Sequence, residues 1–224
     1  MFNHRRHAGR RLGACLASHR AADPVVVGLP RGGMVVADEI ARALEAPLDV
    51  VVVRKLRSPR DSELGIGAVA EGNPPEVVID DDALSTPGVT PEYVQDEIER
   101  QLHEVRLRET VLREGRRPVP LAGRTVIVAD DGIATGGTMR AALQVVQRSG
   151  PHHILLAVPV IPAEIVSVLA PLVDQVVCLR APRYLHAVGA FYREFDPVSD
   201  GEVVALLANA RARTARIAPV AAAR

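Results

Sequence analysis

Aromatic side chains are scarce: three tyrosines, three phenylalanines and no tryptophan make up 3% of 224 residues. A pocket that holds a flat ligand between rings has few rings to draw on, and four of the six fall in one late segment: Tyr184, Phe191, Tyr192 and Phe195. Cysteine is as rare. Cys15 and Cys178 lie far apart among small or apolar neighbours, which excludes a disulfide framework and reads as two small core residues of a reduced, cytoplasmic protein. No charge of one sign prevails: 27 basic residues balance 27 acidic ones. A general nucleic-acid binder needs a basic excess, so that class is set aside, although a local patch stays open. The seven histidines show no metal-ligand spacing, and the adjacent His152 and His153 suit no tetrahedral site. No apolar run reaches the about 18–20 residues of a membrane helix. The Arg-rich start lacks the long apolar segment of a signal peptide.

What the chain does have is 48% hydrophobic residues, enough for a full core, arranged as alternating strand and helix patterns. Residues 5–19 read as a surface helix whose basic residues face solvent. Val25–Leu29, Leu48–Val53, Thr125–Ala129, His153–Val160 and Gln175–Leu179 read as buried strands, with short strands near Ile66–Ala70 and Val77–Ile79. Helices are expected over Gly32–Leu44, Pro91 to about Arg113, from the Gly136-Gly137-Thr138 stretch to Ser149, Ala163–Leu169 and Asp200–Ala210, the last with Asp200 as N-cap. On the long helix, i,i+4 pairs such as Glu104 with Arg108 suggest exposure. The tail Ala218–Arg224 is expected to fray. Strands alternating with helices imply an α/β fold, a mostly parallel twisted sheet with helices on both faces, in one domain over residues 1–224. A small cap would come from parts of 76–118 and 181–210, and a flexible loop would span about 56–75. Ligands bind such sheets at the carboxyl ends of the strands, which gathers three loops: Pro30–Gly33, Arg54–Arg57 and Asp130–Thr138.

The third loop carries the most chemistry. The apolar run Val126-Ile127-Val128-Ala129 ends in two carboxylates, Asp130 and Asp131, and then in Gly132-Ile133-Ala134-Thr135-Gly136-Gly137-Thr138. Glycines let the backbone turn tightly and approach a ligand. The free N–H groups and dipole of the helix that follows attract a phosphate, and Thr135 and Thr138 add hydroxyl donors. The twin aspartates would repel that phosphate, so they need another partner. A ribose diol fits, because carboxylates accept hydroxyl hydrogen bonds. A Walker-type loop is the rival, but its lysine is missing: Gly137 precedes Thr138.

This combination resembles the type I phosphoribosyltransferases. The resemblance implies that Asp130 and Asp131 hold the ribose hydroxyls of phosphoribosyl pyrophosphate and that residues 132–138 hold its 5-phosphate. It also implies that Pro30, Arg31, Gly32 and Gly33, after the strand ending Val27-Gly28-Leu29, bind pyrophosphate, with a cis peptide at Pro30–Arg31 or Arg31–Gly32. Arg54 and Lys55 would stabilise the leaving group and precede a catalytic loop from Leu56 to about Ile66. Mg²⁺ would be bridged by the donor, through water to Asp130 or Asp131, with no dedicated protein cage. Replacing Asp131 or Arg54 by alanine would lower turnover about a hundredfold or more.

The acceptor is less defined. In 6-oxopurine enzymes of the family an aspartate stands where this chain has Ala134, and the Asp-Asp-Gly-Ile-Ala-Thr-Gly-Gly-Thr form is more like the adenine enzymes. Tyr184 is the candidate for an acceptor pocket, whereas Phe191 and Phe195 read rather as packing. Glu63 and Glu71 are candidates for assisting acceptor deprotonation or are simply solvated. Most of the chain resembles a group of bacterial phosphoribosyltransferases of undefined substrate, from Arg5-Arg6-His7-Ala8-Gly9 through Gly28-Leu29-Pro30-Arg31-Gly32-Gly33 and Val53-Arg54-Lys55 to Phe191–Val203, which includes Phe195-Asp196-Pro197-Val198-Ser199-Asp200. The expected function is transfer of a phosphoribosyl group to a nitrogenous acceptor, a nucleobase in the first instance, with release of pyrophosphate. The alternative is a sensor of the same fold that binds the donor or a nucleotide without turnover. Neither a nucleic acid nor a membrane is an expected partner. Family members are often dimers, which leaves a homodimer open.

Overall fold

The computed structural model describes residues 1–61, 64–70, 72, 74–80 and 82–217. In chain order the elements are α1 (Arg5–Cys15), β1 (Pro24–Gly28), α2 (Gly32–Leu44), β2 (Leu48–Val50), β3 (Val53–Arg57), β4 (Gly65–Ala70), β5 (Glu76–Ile79), α3 (Pro91–Arg113), β6 (Thr125–Ala129), α4 (Gly137–Arg148), β7 (His153–Val160), α5 (Ala163–Leu169), β8 (Gln175–Arg180) and α6 (Asp200–Ile217).

Five strands form one all-parallel sheet in the order β2-β1-β6-β7-β8. The apolar, β-branched runs of β1 and β6 suit strands covered on both sides, and every residue of each is buried. Side chains alternate between two cores. Val26 and Ile127 face a layer containing Leu12 of α1, Ile40 of α2 and Leu207 of α6. Val25, Val27, Val126 and Val128 face Leu143 and Val146 of α4 and Leu169 of α5. Each such fully buried side chain contributes about 1.5–3 kcal/mol. Strand order reverses between β1, whose next strand lies on one side, and β6 on the other. In register, Gly28 lies beside Ala129 and Ala129 beside Ala157. The loops leaving β1 and β6 are therefore neighbours at the carboxyl edge, the crevice where open α/β sheets bind ligands.

A second sheet, β3-β4-β5, is antiparallel. It corrects the expectation of a single strand over Leu48–Val53. β2 ends at Val50, Val51 joins one core and Val52 the other, and Val53 opens β3 in the new sheet. A continuous apolar run does not reveal that its two halves have different neighbours. Consequently Arg54 and Lys55 stand on a strand rather than in a loop, and the connection to β4 is shorter than the expected loop from Leu56 to Ile66.

Four further expectations change. Glu104 and Arg108 do not pair with each other: Arg108 reaches Asp200 at 3.2 Å, and Glu104 lies 3.8 Å from Arg54. The cap of α6 is Ser199, whose Oγ accepts from the Glu202 N–H while its own N–H donates to Glu202 Oε2 at 2.8 Å, a capping box one residue before Asp200. Cys15 is exposed, so only Cys178 is partly covered by the core. Helix α1 is not merely a solvated face: Gly9 and Gly13 let it dock on α2, where a Cβ at Gly9 would lie 2.9 Å from the Val36 carbonyl oxygen. The tail 218–224 lies outside the described residues.

Candidate active site

Asp130 and Asp131 follow β6 directly, beside the start of α2. Each carboxylate is anchored through one oxygen. Asp130 Oδ1 accepts from the Asp131 N–H at 2.8 Å, and Asp131 Oδ2 accepts from Arg5 Nε at 2.6 Å. Among the described residues the second oxygen of each has no hydrogen-bond partner. Tyr192 donates its hydroxyl to the Asp131 carbonyl oxygen at 2.5 Å, fixing the backbone as well. Burial pushes the Asp130 carboxyl well above its ordinary range, and repulsion from Asp131 adds to this, against the Asp131 N–H and the Arg5 charge. Burial also raises Asp131, opposed by its hydrogen bond to Arg5 and by that residue's charge.

The loop after β1 makes this closeness sterically feasible. A Cβ at Gly32 would fall 1.9 Å from Asp131 Oδ2, and one at Gly33 would fall 2.6 Å from Asp130 Oδ1. Only glycine allows these approaches. The peptide between Pro30 and Arg31 is cis, the first of the two expected positions. Arg31 is exposed at the lip of this loop.

Beyond the acidic pair the chain turns over Gly132, Ile133, Ala134 and Thr135 into α4. Ile133 is buried and donates its N–H to the Val160 carbonyl oxygen at 2.9 Å, pinning the loop to β7. Gly136 caps α4 with φ +81°, a left-handed conformation, and a Cβ there would meet Ile165 at 2.9 Å. Gly137 and Thr138 begin the helix. Ala134, Thr135, Gly137 and Thr138 are exposed, so the unpaired N–H groups of the first helical turn open to solvent beside the aspartates.

Lys55 and Arg54 part company. As neighbours on β3 they point to opposite faces. Lys55 lies against Gly137, in a cavity of about 360 Å³ that Thr135 and Arg140 also line. Arg140 is paired with Asp80, whereas Lys55 has no ion-pair partner among the described residues. Arg54 turns to Glu104 of α3. The two cations expected to act together on pyrophosphate thus point apart: Lys55 stands at the glycine loop that opens α4, and Arg54 faces Glu104 of α3.

Tyr184, the expected acceptor-pocket residue, is 83% exposed. The aromatic cluster beside the site is built from the other late rings: Tyr192 stacks on Phe195 at 4.9 Å and touches Phe2 at 5.4 Å, with Phe191 packed alongside. Sequence reading missed Arg5 and Tyr192. Nothing local to Arg5 signals a partner 126 positions away. Tyr192 carried one clue, its place in the only dense patch of aromatics. Glu63 and Glu71 lie outside the described residues. Among the described residues there is no group of three or more His, Cys, Asp or Glu able to hold a metal ion, and no helix is long and apolar enough to cross a membrane.

The arrangement has relatives. A solved structure, TT1426 from Thermus thermophilus, is 44% identical, covers 93% of this chain and 98% of its own, and superposes with a TM-score of 0.82. The Mycobacterium tuberculosis protein named "Putative phosphoribosyl transferase Rv0571c" is 45% identical over 211 residues, which is 94% of this chain but 47% of the relative. The chain therefore spans about half the length of the curated relatives it matches. The model of the phosphoribosyl transferase domain matches residues 6–177, from α1 through the acidic pair and its glycine loop into β8. With that match and the α/β architecture above, the chain belongs to the phosphoribosyl transferase domain family.

Proposed function

We propose that this chain transfers the phosphoribosyl group of phosphoribosyl pyrophosphate to a nitrogenous acceptor, releasing pyrophosphate. The observation that carries the reading is the juxtaposition of two carboxylates, each with one oxygen left unpaired, and a glycine-capped helix start. The free oxygens suit two ribose hydroxyls. The N–H groups of residues 134–138, the hydroxyls of Thr135 and Thr138, and Lys55 suit the 5-phosphate. Pro30, Arg31, Gly32 and Gly33 suit the pyrophosphate. In this reading residues 1–224 act as one domain, capped by parts of 76–118 and 181–210.

The reaction breaks the bond between the anomeric carbon and the pyrophosphate oxygen and forms one from that carbon to an acceptor nitrogen, which gives up its proton to solvent. Positive charge develops on the ribose, and Asp130 and Asp131 favour it while fixing the ring. Negative charge leaves with the pyrophosphate, where Arg31 and the backbone of Gly32 and Gly33 receive it. The residues fit Mg²⁺: half-buried carboxylate oxygens are hard donors, and this ion keeps waters and substrate oxygens as its remaining ligands. When bound, Mg²⁺ neutralises charge on the leaving group. Asp130 or Asp131 would hold it through water. Ala134 offers no carboxylate to an acceptor proton, which favours acceptors of the adenine type over 6-oxopurines.

The test is incubation with phosphoribosyl pyrophosphate, Mg²⁺ and a panel of nitrogenous bases while pyrophosphate is measured. Release that depends on one acceptor is the expected result. Donor binding with no release for any acceptor would replace the transferase by a sensor of the same fold.

A further inference from the structure

The matched family region begins at residue 6 and ends at 177, yet two residues outside it, Arg5 and Tyr192, meet at Asp131, and a third, Phe195, lies under Arg5. Arg5 opens α1, and its side chain is only 11% exposed. Its Nε donates to Asp131 Oδ2, its Nη1 donates to the Asp196 carbonyl oxygen at 2.7 Å, and its guanidinium lies over the Phe195 ring at 3.7 Å. A cation this deep is costly unless every contact is satisfied, and ionic hydrogen bonding with ring stacking supplies that satisfaction. The backbone around it is laced in the same way. Phe2 N–H donates to the Phe191 carbonyl oxygen at 2.7 Å, Arg193 N–H to that of Phe2 at 2.9 Å, and Glu194 N–H to that of Asn3 at 2.9 Å. Phe2 itself is buried against Tyr192.

We infer that Arg5 is a positioning residue for the donor: clasped by residues 191–196, it holds one oxygen of Asp131 so that the other is presented to a ribose hydroxyl. The inference rests on the reading of the acidic pair as the ribose grip. Three observations separate this role from a plain structural ion pair. The partner is one of the two carboxylates at the strand end rather than a peripheral acid. The bond uses a single oxygen of that carboxylate. The pair also fills the gap beside Gly32, where a Cβ would lie 2.8 Å from Arg5 Nε, so Arg5 touches the proposed pyrophosphate loop as well. Without the guanidinium, Asp131 would face Asp130 with no counter-charge and no fixed rotamer.

The experiment uses the full chain. Donor affinity with Mg²⁺ is measured by calorimetry, alongside kcat, the KM of donor and acceptor, and thermal midpoints, for the parent, Arg5→Ala, Arg5→Lys and Phe195→Leu. Arg5→Ala should weaken donor binding tenfold or more and lower kcat, with the acceptor KM unchanged. Ethylguanidine added to the assay should restore part of the loss, which a merely structural role would not allow. Arg5→Lys should recover little, since a point charge replaces a planar fork. Donor affinity equal to the parent's in folded Arg5→Ala overturns the inference while leaving the transferase reading intact. Tighter binding also overturns it, because Arg5 would then be competing with the ribose. A parent chain that binds no donor overturns both. If Arg5→Ala does not fold, Phe195→Leu reads the same quantity: a threefold or greater weakening is expected, and parental affinity contradicts the clasp.

Discussion

Lys55 of β3 lies across Gly137, the first residue of α4: a Cβ at position 137 would sit 3.4 Å from Lys55 Cε and 3.8 Å from its Nζ. The contact joins the small antiparallel sheet to the carboxyl edge of the large parallel one. It leaves a cation without a carboxylate partner among the described residues, at a helix start that attracts anions. Replacing Lys55 by alanine should therefore remove one charge-assisted contact to the 5-phosphate, about 1.5–3 kcal/mol. Steady-state kinetics should show the donor KM raised roughly tenfold to a hundredfold, with the acceptor KM little changed.

Arg54, the neighbouring cation, should behave differently. Its guanidinium pairs at 3.8 Å with a half-exposed Glu104, and such pairs contribute about 0–1 kcal/mol. Arg54→Ala should keep turnover within a few-fold of the parent, against the loss of about a hundredfold or more expected from the sequence. A loss as large as that of an Asp131 variant would return Arg54 to the catalytic set.

Gly32→Ala tests the approach of the two loops. The new Cβ would collide with Asp131 Oδ2. The carboxylate must move by an ångström or more, and displacements of that size cost roughly a hundredfold in rate. The expected outcome is a turnover loss of that order, with α2 still formed by circular dichroism. Near-parental turnover would mean that Asp131 is not held where the donor needs it.

Asp130 links the site to pH-dependent stability. Its carboxyl is raised by burial, then by repulsion from Asp131, above the about 3.9 of an unfolded chain. Such a group binds its proton more tightly when folded. Its contribution to stability is fully present below pH about 3.9 and is lost as pH rises through the folded value. Asp130→Asn should therefore unfold at higher urea concentration than the parent at pH 7 in EDTA, and the gain should vanish below pH about 3.9. Turnover should be lost in the same variant. A variant less stable than the parent at pH 7 would contradict the sign.

How much of this was legible in the sequence depends on the range of the interactions. The β6–loop–α4 stretch was readable because its apolar run, its glycines and its helix start are local, and the observed bounds of β6 agree with that reading. The capping box at Ser199 was equally local, with Glu202 three residues on, and could have been read in place of Asp200. The division of Val50–Val53 between two sheets was not readable, since buried valines look alike whichever sheet covers them. Nor was the separation of Arg54 from Lys55, which depends on where β3 begins. Arg5 is the extreme case. Within its helix it is one basic residue among several, and only the folded chain brings it to Asp131.

The most direct test of the central claim is a crystal structure of the chain with Mg²⁺ and a non-hydrolysable analogue of phosphoribosyl pyrophosphate. The account predicts the 5-phosphate on the N–H groups of residues 134–138 with Lys55 beside it, and the ribose hydroxyls on the free oxygens of Asp130 and Asp131. An analogue bound elsewhere, or a loop left empty while arginines hold both oxygens of Asp131, would contradict it.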